Sequence, residues 1–454
     1  PIPPLLSGAW PLLGHALEFR NKREGLFERG YRELGSVYAI RLGRQPAAVV
    51  IGPEYHQTFF AETDKKLSSY KTYAFLKAMF GEVSLAAPPE LYAAQRPILY
   101  VPFKGEKMAG YVQVMQLEIQ AWLDGLGAAG EFELTEQLNR LVQNVAAHAF
   151  MGRQFRDQAG REFWGLYAVL GAALDPLLPP GLPLPKFFRR DRAKAQLAAL
   201  VRPILAERRA HPERYDDALQ DLVQARYADG QPADDDLILN LVLALMFAGH
   251  ETTAGQAAWT IIRLLQNPGY LAQVQDELAQ RLPVGAPITL AALGALHRVN
   301  WAVNEITRLN PSASMLIRLV EEEVEFGDYR VPAGWIVFVT AAVAHRLPAL
   351  FRDPKAYDPH RFGPGREEDR QHRFAMIGFG GGTHKCAGMN FANNEMSMIT
   401  ALLFQQFDLE LVTPNPGVRY GLGANRPEPT ILRYRRKAER LPSGAPLGAV
   451  QQGR

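Results

Sequence analysis

Apolar residues recur every three or four positions over most of this chain, a spacing typical of amphipathic α-helices. The stretches that show it best are residues 108–126, 134–150, 161–174, 190–209, 218–227, 236–267 and 270–281. Aspartates at positions 234 to 236 suit the positive end of the sixth helix, and Asn267-Pro268 ends it about thirty residues later. We therefore expect a mainly α-helical protein in which one helix crosses the whole molecule.

Strand patterns occupy a smaller part of the chain. Residues 37–42 and 47–51 flank a short glycine-containing turn, which predicts a two-stranded hairpin. Residues 324–329 and 336–340 predict further strands of the same small sheet. Prolines and glycines in residues 1–15 exclude regular helix there and predict an extended arm.

Composition narrows the class of protein. The 454 residues include 50 Lys and Arg against 47 Asp and Glu, a formal net charge of +3, and no basic block stands out, so nucleic acid is not an expected partner. The single cysteine favours a reducing compartment such as the cytoplasm. With neither an internal repeat nor a clear linker, we expect one domain over residues 1–454, mainly α with small β-sheets (α+β).

Two apolar segments bear on membranes. The longest apolar run, residues 237–248, is shorter than the roughly 18–20 residues that a membrane-spanning helix needs. The proline-rich loop at residues 176–180 is apolar, and we expect it to touch a membrane peripherally, to line an entrance for an apolar ligand, or to cap the core.

The only cysteine lies in the most informative segment, residues 379–388. Cys386 follows a run of three glycines and directly precedes a helical pattern. A thiolate at a helix start is stabilised by backbone N–H donors, and glycines let the loop approach a flat ligand closely. This environment is that of a metal-binding thiolate.

Other interpretations of Cys386 differ in what must surround it. An isolated cysteine is most often a small buried hydrophobe. A phosphate loop would need Gly-Lys-Ser/Thr, zinc would need several ligands, and blue copper would need two histidines beside the cysteine; the sequence has none of these patterns here. Heme iron remains, because one axial thiolate serves it and favours cleavage of the O–O bond of bound oxygen.

At this point the chain resembles the cytochrome P-450 superfamily. The family's heme loop, Phe-x-x-Gly-x-x-x-Cys-x-Gly, is matched by Phe379, Gly382, Cys386 and Gly388. Residues 248–253 match its Ala/Gly-Gly-x-Asp/Glu-Thr-Thr/Ser motif on the long helix. Its Glu-x-x-Arg motif is matched by Glu305 and Arg308, and the arginine of the partner motif by Arg361. Alone, Glu305 and Arg308 would be interpreted as a surface ion pair.

The resemblance implies a fold and a set of roles. Heme b is expected between the long helix and the helix after Cys386, with Cys386 as metal ligand and Phe379 in the loop that covers the cofactor. Buried cations suit the anionic propionates, and the candidates are His384, Arg318 and Arg96, of which Arg96 could equally be a surface charge. Oxygen activation consumes protons, and the acid and hydroxyl at Glu251 and Thr252 fit a catalytic relay.

Within the superfamily, residues 73–81 and 152–157 resemble the sterol 14α-demethylases. That branch implies that Tyr73 helps to hold the heme and that Phe75 faces a sterol. Two departures stand out: Glu251 replaces the usual histidine, and residues 83–87 lack the branch's Tyr/Phe-Asp pair. The side chains predicted to contact substrate are Phe75, Met79, Phe80, Leu245, Ala248 and Leu316.

These expectations define an O2-dependent monooxygenase of a hydrophobic small molecule, with a sterol as the first hypothesis. Another lipophile, such as a fatty acid, terpenoid or polyketide, is the alternative, and a non-catalytic heme-thiolate sensor is a third. No spare length remains for a reductase, so a separate electron donor, a ferredoxin or flavodoxin, is expected. It would dock near Lys385, Lys104 and Lys107.

Overall fold

The computed structural model describes residues 1–176, 178–421 and 424–438. Leu177, which belongs to the proline-rich apolar loop, and residues 439–454, which belong to the expected single domain, lie outside the described residues.

Helices make up most of the described chain, as the spacing of apolar residues predicts. They are α1 Ala16–Leu34, α2 Pro53–Glu62, α3 Ser69–Thr72, α4 Lys77–Phe80, α5 Pro89–Leu99, α6 Met108–Gly125, α7 Leu134–Met151, α8 Arg153–Gln158, α9 Gly160–Ala172, α10 Pro185–Ala210, α11 Ala218–Gln224, α12 Asp235–Gln266, α13 Pro268–Arg281, α14 Leu290–Ala295, α15 His297–Leu309, α16 Ala341–Ala344 and α17 Met389–Gln406. The seven predicted helices correspond to α6, α7 and α9–α13. Their largest boundary error is at α10, which begins at Pro185 because proline at a first helical position lacks only an N–H that would be unpaired there.

Within the described ranges, the strands form four small sheets. They are β1 Val37–Leu42, β2 Gln45–Val50, β3 Leu67–Ser68, β4 Ala129–Glu133, β5 Met315–Val320, β6 Val324–Phe326, β7 Tyr329–Val331, β8 Ile336–Thr340, β9 Phe407–Leu411, β10 Val418–Arg419, β11 Arg426–Pro427 and β12 Ile431–Arg436. The largest sheet has the order β1-β2-β8-β5-β3, and β4-β12-β9, β6-β7 and β10-β11 form the others. The predicted hairpin is present as β1 and β2, which pair antiparallel.

One strand prediction is wrong in part. Residues 324–329 were expected to join the larger sheet, but β6 turns back at Gly327 and pairs only with β7. Gly327 has φ +60°, a left-handed conformation that glycine adopts without strain and that permits the tight turn. The prediction for β8 is right, since β8 lies between β2 and β5.

The long helix α12 runs through the centre of the molecule. Asp234 begins it by accepting a hydrogen bond from the Leu237 N–H at 2.7 Å, and α12 packs against α7, α15, α17 and β11. By length and composition it is the one described helix that could cross a membrane, and more than half of its most apolar window is buried by the rest of the chain. Because α12 packs on α17, the residues of the predicted proton relay and the helix that follows Cys386 lie on neighbouring elements.

Candidate active site

The thiolate loop is a tight turn closed by its own backbone. The Cys386 N–H donates to the Phe379 carbonyl at 2.9 Å, and the Gly380 N–H donates to the Ile377 carbonyl at 2.8 Å. Gly380 and Gly382 have φ of +71° and +62°, which side chains with a Cβ adopt only with strain. α17 begins at Met389, so the thiol lies close to the positive end of a long helix.

Aromatic side chains that the motif does not include hold this loop from two sides. A Cβ at Gly381 would come 2.8 Å from the Phe60 ring, so the loop lies directly on α2. From α5, Tyr92 donates to the Thr383 carbonyl at 3.2 Å, and Tyr100, just beyond the helix, donates to the Lys385 carbonyl at 3.0 Å. Sequence reasoning missed Tyr92 and Tyr100, because hydrogen bonds from side chains to backbone carbonyls some 290 residues away leave no local signal in the sequence. It missed Phe60 because the contact of that ring with Gly381 also joins distant parts of the chain.

The surroundings of the thiol act on its pKa. Cys386 is exposed, yet burial is the largest cause acting on its pKa, which it raises. The Gly388 N–H and the charge of Lys385 oppose that rise. A metal ion bound to the sulfur would complete the stabilisation, because coordination deprotonates a thiol.

Arg318, on β5, is buried, with only 2% of its surface exposed. Its Nη1 donates to the Ile317 carbonyl at 2.8 Å, while its Nε is buried without a hydrogen-bond partner among the described residues. Burial lowers the pKa of the guanidinium, and the nearby Tyr73 and Asp64 act in the opposite direction. A buried cation with an unused N–H is the donor that an anionic propionate requires.

The other two candidate cations have different surroundings. His384 places Nε2 2.6 Å from the Asp64 carboxylate and stacks on the Tyr92 ring at 4.3 Å, so a propionate would have to bind its Nδ1. Arg96, on α5, is exposed and lies over the Tyr100 ring at 5.2 Å. Arg318 therefore fits an anionic group better than His384 or Arg96 does.

Thr252 lies near the middle of α12 and directs its hydroxyl to the helix itself. The hydroxyl donates to the Ala248 carbonyl at 2.6 Å, and the Thr252 carbonyl accepts a hydrogen bond from the Ser312 hydroxyl at 3.1 Å. Such bonds bend or open a helix locally. Because the hydroxyl oxygen keeps lone pairs, it can still accept a hydrogen bond from a second donor.

Glu251, the neighbouring residue, pairs with a different part of the chain. Its carboxylate lies 3.3 Å from Nη1 of Arg426, on β11, and both side chains are partly exposed. β11 comes very close to α12 at Gly255, where a Cβ would lie 3.2 Å from the Cβ of Arg426. The acid is therefore held at the edge of the helix by the β10–β11 hairpin.

The Glu-x-x-Arg motif forms a fully buried ion cluster. Arg308 donates to both Glu305 oxygens, at 2.7 and 2.8 Å, and Nε of Arg361 lies 3.1 Å from the same carboxylate. The side chains of all three are 0% exposed. The cluster is therefore not the surface ion pair that the spacing of Glu305 and Arg308 alone would indicate.

The predicted substrate-binding side chains divide into two groups. Ala248 is exposed, and Phe75, Leu245 and Leu316 are partly exposed. The structure does not support the other two, since Met79 and Phe80 are 1% and 3% exposed and lie in the packed core, Phe80 against the Phe247 ring at 5.2 Å. Both side chains belong to the short helix α4, which places them against the core.

The residues present suit an iron porphyrin better than a bare metal ion. Within the described ranges, no cluster of three or more His, Cys, Asp or Glu could hold a metal on protein ligands alone. What the site offers is one thiol in a glycine loop, the exposed face of α12 at Ala248, and the unused N–H of Arg318. A flat anionic cofactor that brings its own metal ligands meets all three features.

Comparison with known proteins agrees with this geometry. The cytochrome P450 family model matches residues 3–429. The chain belongs to the cytochrome P450 family, and it is a cytochrome P450 monooxygenase. The predicted family, fold class and type of enzyme are thereby confirmed. Proteins of this family use O2, a hydrophobic substrate and redox partner proteins, with a heme-thiolate cofactor.

Several similar proteins are named sterol demethylases. A sterol 14alpha-demethylase from Mycolicibacterium vanbaalenii is 32% identical over 444 residues, covering 96% of this chain and 98% of that protein. A sterol 14-demethylase from Arabidopsis thaliana is 31% identical, covering 96% and 92%. Among solved structures, a retinoic-acid-bound cyanobacterial CYP120A1 has a TM-score of 0.85 with 26% identity, covering 96% of this chain and 99% of that one.

Proposed function

We propose that the chain would bind heme b with the Cys386 thiolate as iron ligand, and that it inserts one oxygen atom of O2 into a hydrophobic substrate, with a sterol 14α-methyl group as the first candidate. The observation that carries the cofactor assignment is the closed loop that presents an exposed thiol at the start of α17. When bound, the heme supplies the iron that activates O2. The chain's own residues hold the cofactor, exclude water and deliver protons.

The propionates are assigned to Arg318, with Tyr73, His384 and Arg96 as further cofactor-binding residues. The support is the buried, unused Nε of Arg318 and the influence of Tyr73 on the pKa of that guanidinium. Phe379 contributes the carbonyl that closes the loop behind Cys386. In this arrangement Arg318 neutralises a buried anion. A lysine would supply the same charge but not the several N–H donors that a planar guanidinium directs at an anionic group.

A change at Cys386 tests the central assignment. In Cys386→Ser the carbon monoxide difference spectrum of the reduced protein is expected to lose its thiolate band, because an alcohol is not a thiolate donor. Lys385→Gln is the matched control, since Lys385 is adjacent and exposed, and it should keep the band. A thiolate spectrum that survives in Cys386→Ser would exclude Cys386 as ligand.

Proton delivery is assigned to Thr252 and Glu251. Glu251 is partly exposed and can exchange protons with solvent, whereas the Thr252 hydroxyl is bonded within α12. A partly exposed acid next to a hydroxyl on the same helix provides a two-step path for protons. A heme-thiolate sensor would have no use for such a path, which favours an enzyme with turnover.

The sterol assignment is supported by the names of the relatives and by residues 73–81 and 152–157. Glu251 differs from the histidine typical of that branch, so a fatty acid, a terpenoid or a polyketide is the competing substrate. The partly exposed apolar side chains of Phe75, Leu245 and Leu316, with Ala248, would form the substrate wall.

An optical titration of the ferric protein distinguishes these substrates. A 14α-methyl sterol that fits the site should displace water from the heme pocket and shift the Soret band of the ferric protein toward its high-spin position. Fatty acids, terpenoids and azoles are titrated in parallel. A shift with another lipid and none with the sterol would exclude sterol demethylation and leave the monooxygenase assignment intact.

Electrons are assigned to a separate ferredoxin or flavodoxin. Lys385 and Lys104 are exposed near the thiolate loop, whereas Lys107 is held 3.2 Å from both Asp216 and Asp221. We expect an acidic donor to contact Lys385 and Lys104, and Lys385→Glu to slow association in a salt-dependent way. Lys107→Gln should have the smaller effect, and equal effects would contradict this docking face.

Membrane contact is proposed to be peripheral, on an otherwise cytoplasmic protein. Trp10 and Leu12 in the N-terminal arm are 65% and 88% exposed, and Phe188, shortly after the apolar loop, is 63% exposed. The change Trp10→Ser with Leu12→Ser should reduce cosedimentation with phosphatidylcholine vesicles. Val284→Ser, at an equally exposed apolar position remote in sequence, is the control. Vesicle binding that is unchanged in the double variant would exclude the arm.

A further inference from the structure

Two buried histidines hold the segment that leads into the thiolate loop. His345 directly follows α16, and His56 lies in α2; both are 0% exposed. Their ring nitrogens bind backbone groups at Ile377 and Phe374, a few residues before Phe379. Neither histidine belongs to the motifs that identify the family.

The bonds of His345 define its protonation. Its Nε2 accepts a hydrogen bond from the Ile377 N–H at 2.8 Å, and its Nδ1 lies 3.2 Å from the Arg308 carbonyl oxygen. A backbone N–H can only donate and a carbonyl can only accept, so the ring must be neutral with its proton on Nδ1. Burial lowers the pKa of His345 to about 3, which keeps the ring in this form near neutral pH.

His56 repeats the arrangement from the other side. Its Nε2 accepts from the Gly52 N–H at 3.3 Å, and its Nδ1 donates to the Phe374 carbonyl at 3.2 Å. The segment of residues 374–377 is therefore tied to α2 at one end and to His345 at the other. Burial lowers the pKa of His56 to about 4.

His345 also connects the loop to the buried ion cluster. Arg308, which pairs with Glu305, donates from Nη1 to the His345 carbonyl at 2.8 Å, while the His345 ring donates to the Arg308 carbonyl. Beyond His345, the Ile377 carbonyl accepts from Gly380. A continuous series of hydrogen bonds thus runs from Glu305 into the turn that ends at Cys386.

Packing leaves this segment little freedom to move. A Cβ at Gly378 would lie 2.6 Å from the Thr307 Cγ2 and 3.6 Å from the His345 Cε1. The backbone at Gly378, where the thiolate loop begins, therefore packs directly against α15, with the His345 ring beside it. A shift of Ile377 away from His345 would move Gly378, and with it the start of the loop.

We propose that His345 is a positioning residue for Cys386: by holding Ile377 and Gly378 against α15, it keeps the loop in the geometry in which the sulfur ligates iron. The proposal rests on the role of Cys386 given above. Partners that orient a metal ligand without touching the metal commonly change metal binding by about 10- to 100-fold when removed.

Two polar substitutions separate the two hydrogen bonds of the ring. His345→Asn can still donate to the Arg308 carbonyl but is too short to accept from Ile377, whereas His345→Gln reaches the position of Nε2 and restores that acceptor. His15→Asn is the matched control: His15 is 1% exposed and also joins two backbone groups, Arg41 N–H at 3.2 Å and the Ser7 carbonyl at 3.1 Å, far along the chain from the loop.

The measurement is the rate at which the reduced, carbon-monoxide-bound holoprotein loses its thiolate spectrum at fixed temperature, together with hydrogen exchange of the Ile377 amide. We expect His345→Asn to lose the thiolate form about tenfold faster and to exchange Ile377 faster, with His345→Gln restoring both and His15→Asn changing neither.

Two results would overturn the proposal alone: a thiolate spectrum in His345→Asn that lasts as long as in the wild type although Ile377 exchanges faster, or an equal acceleration in His15→Asn. A wild-type protein that lacks a thiolate spectrum would instead overturn the role of Cys386, and the present proposal with it.

Discussion

The Glu251 carboxylate and the Arg426 guanidinium form an ion pair, 3.3 Å apart, that ties the central helix α12 to the β10–β11 hairpin. The next residue, Thr252, donates its hydroxyl to the Ala248 carbonyl inside the same helix. A partly exposed acid thus lies beside a hydroxyl that is bonded within the helix. The ion pair fixes the position of the acid, and the helix fixes that of the hydroxyl.

Glu251→Gln tests whether the acid supplies protons. The amide keeps the size and a hydrogen bond to Arg426 but cannot release a proton, so turnover with a saturating substrate should fall by roughly 100-fold, in the range for loss of a general acid. Substrate-induced shifts of the Soret band should remain as in the wild type. Turnover within a factor of two of the wild type would exclude Glu251 from proton delivery.

Arg426→Gln probes the same pair from the other side. It removes the cation and leaves the carboxylate, so turnover should fall less than in Glu251→Gln. A larger loss than in Glu251→Gln would mean that the hairpin itself, and not the acid, is what the reaction needs.

Thr252→Ala should separate oxygen consumption from product formation. Without the hydroxyl the proton arrives out of place, and reducing equivalents should leave as hydrogen peroxide. The measurement is the amount of product formed per NAD(P)H consumed, together with the amount of hydrogen peroxide released. Thr252→Ser retains the hydroxyl and should stay coupled. Unchanged coupling in Thr252→Ala would remove Thr252 from the relay.

The parts of this site that could be predicted from the sequence are those that are local in the chain. The glycines lie within a few residues of Cys386, and Glu251 is adjacent to Thr252. The spacing of these residues along the chain is therefore enough to predict a metal-binding thiolate and a proton relay. The seven predicted helices follow for the same reason, since a period of 3.6 residues is a local property.

What the sequence does not reveal is which distant residues meet these motifs. Arg426 pairs with Glu251 across 175 residues, and His345 bonds to a backbone N–H, which has no residue identity that a pattern could show. The sequence also does not separate Met79 and Phe80 from the residues predicted to contact substrate, because apolar side chains suit both a substrate site and a core, and only packing distinguishes the two.

The buried ion cluster should matter for stability far more than a surface pair. Arg361→Met removes one cation from beside Glu305 and Glu368, both of which are almost fully buried. Leaving buried charge without its partner costs about 3–5 kcal/mol, so a clear drop in Tm or failure to accumulate folded protein is expected.

Glu136→Gln provides the control for the ion cluster, because Glu136 and Arg140 form a pair that is about two-thirds exposed. This change should leave Tm nearly unchanged. Equal effects of Arg361→Met and Glu136→Gln would mean that the cluster contributes no more than a surface contact.

Acid should destabilise the protein through the two histidines beside the thiolate loop. His56 and His345 have pKa values lowered by burial to about 4 and about 3, against about 6.5 in an unfolded chain. Between these pH values the unfolded chain binds more protons than the folded one. The contribution of the two histidines to the free energy of unfolding is therefore fully present above pH 6.5 and decreases as the pH falls toward 4. At pH 5 each histidine should account for about 2 kcal/mol of that loss.

The measurement is Tm between pH 8 and pH 5 for the wild type and for His56→Gln. Glutamine can accept from the Gly52 N–H, as His56 does, but does not titrate. Its Tm should therefore fall less steeply with acid than that of the wild type, while the two agree more closely in slope above pH 7. The contrary outcome is a parallel loss of Tm in the two proteins from pH 6.5 to pH 5. It would mean that His56 is already charged in the folded state, which contradicts the neutral ring inferred from its two hydrogen bonds to the backbone.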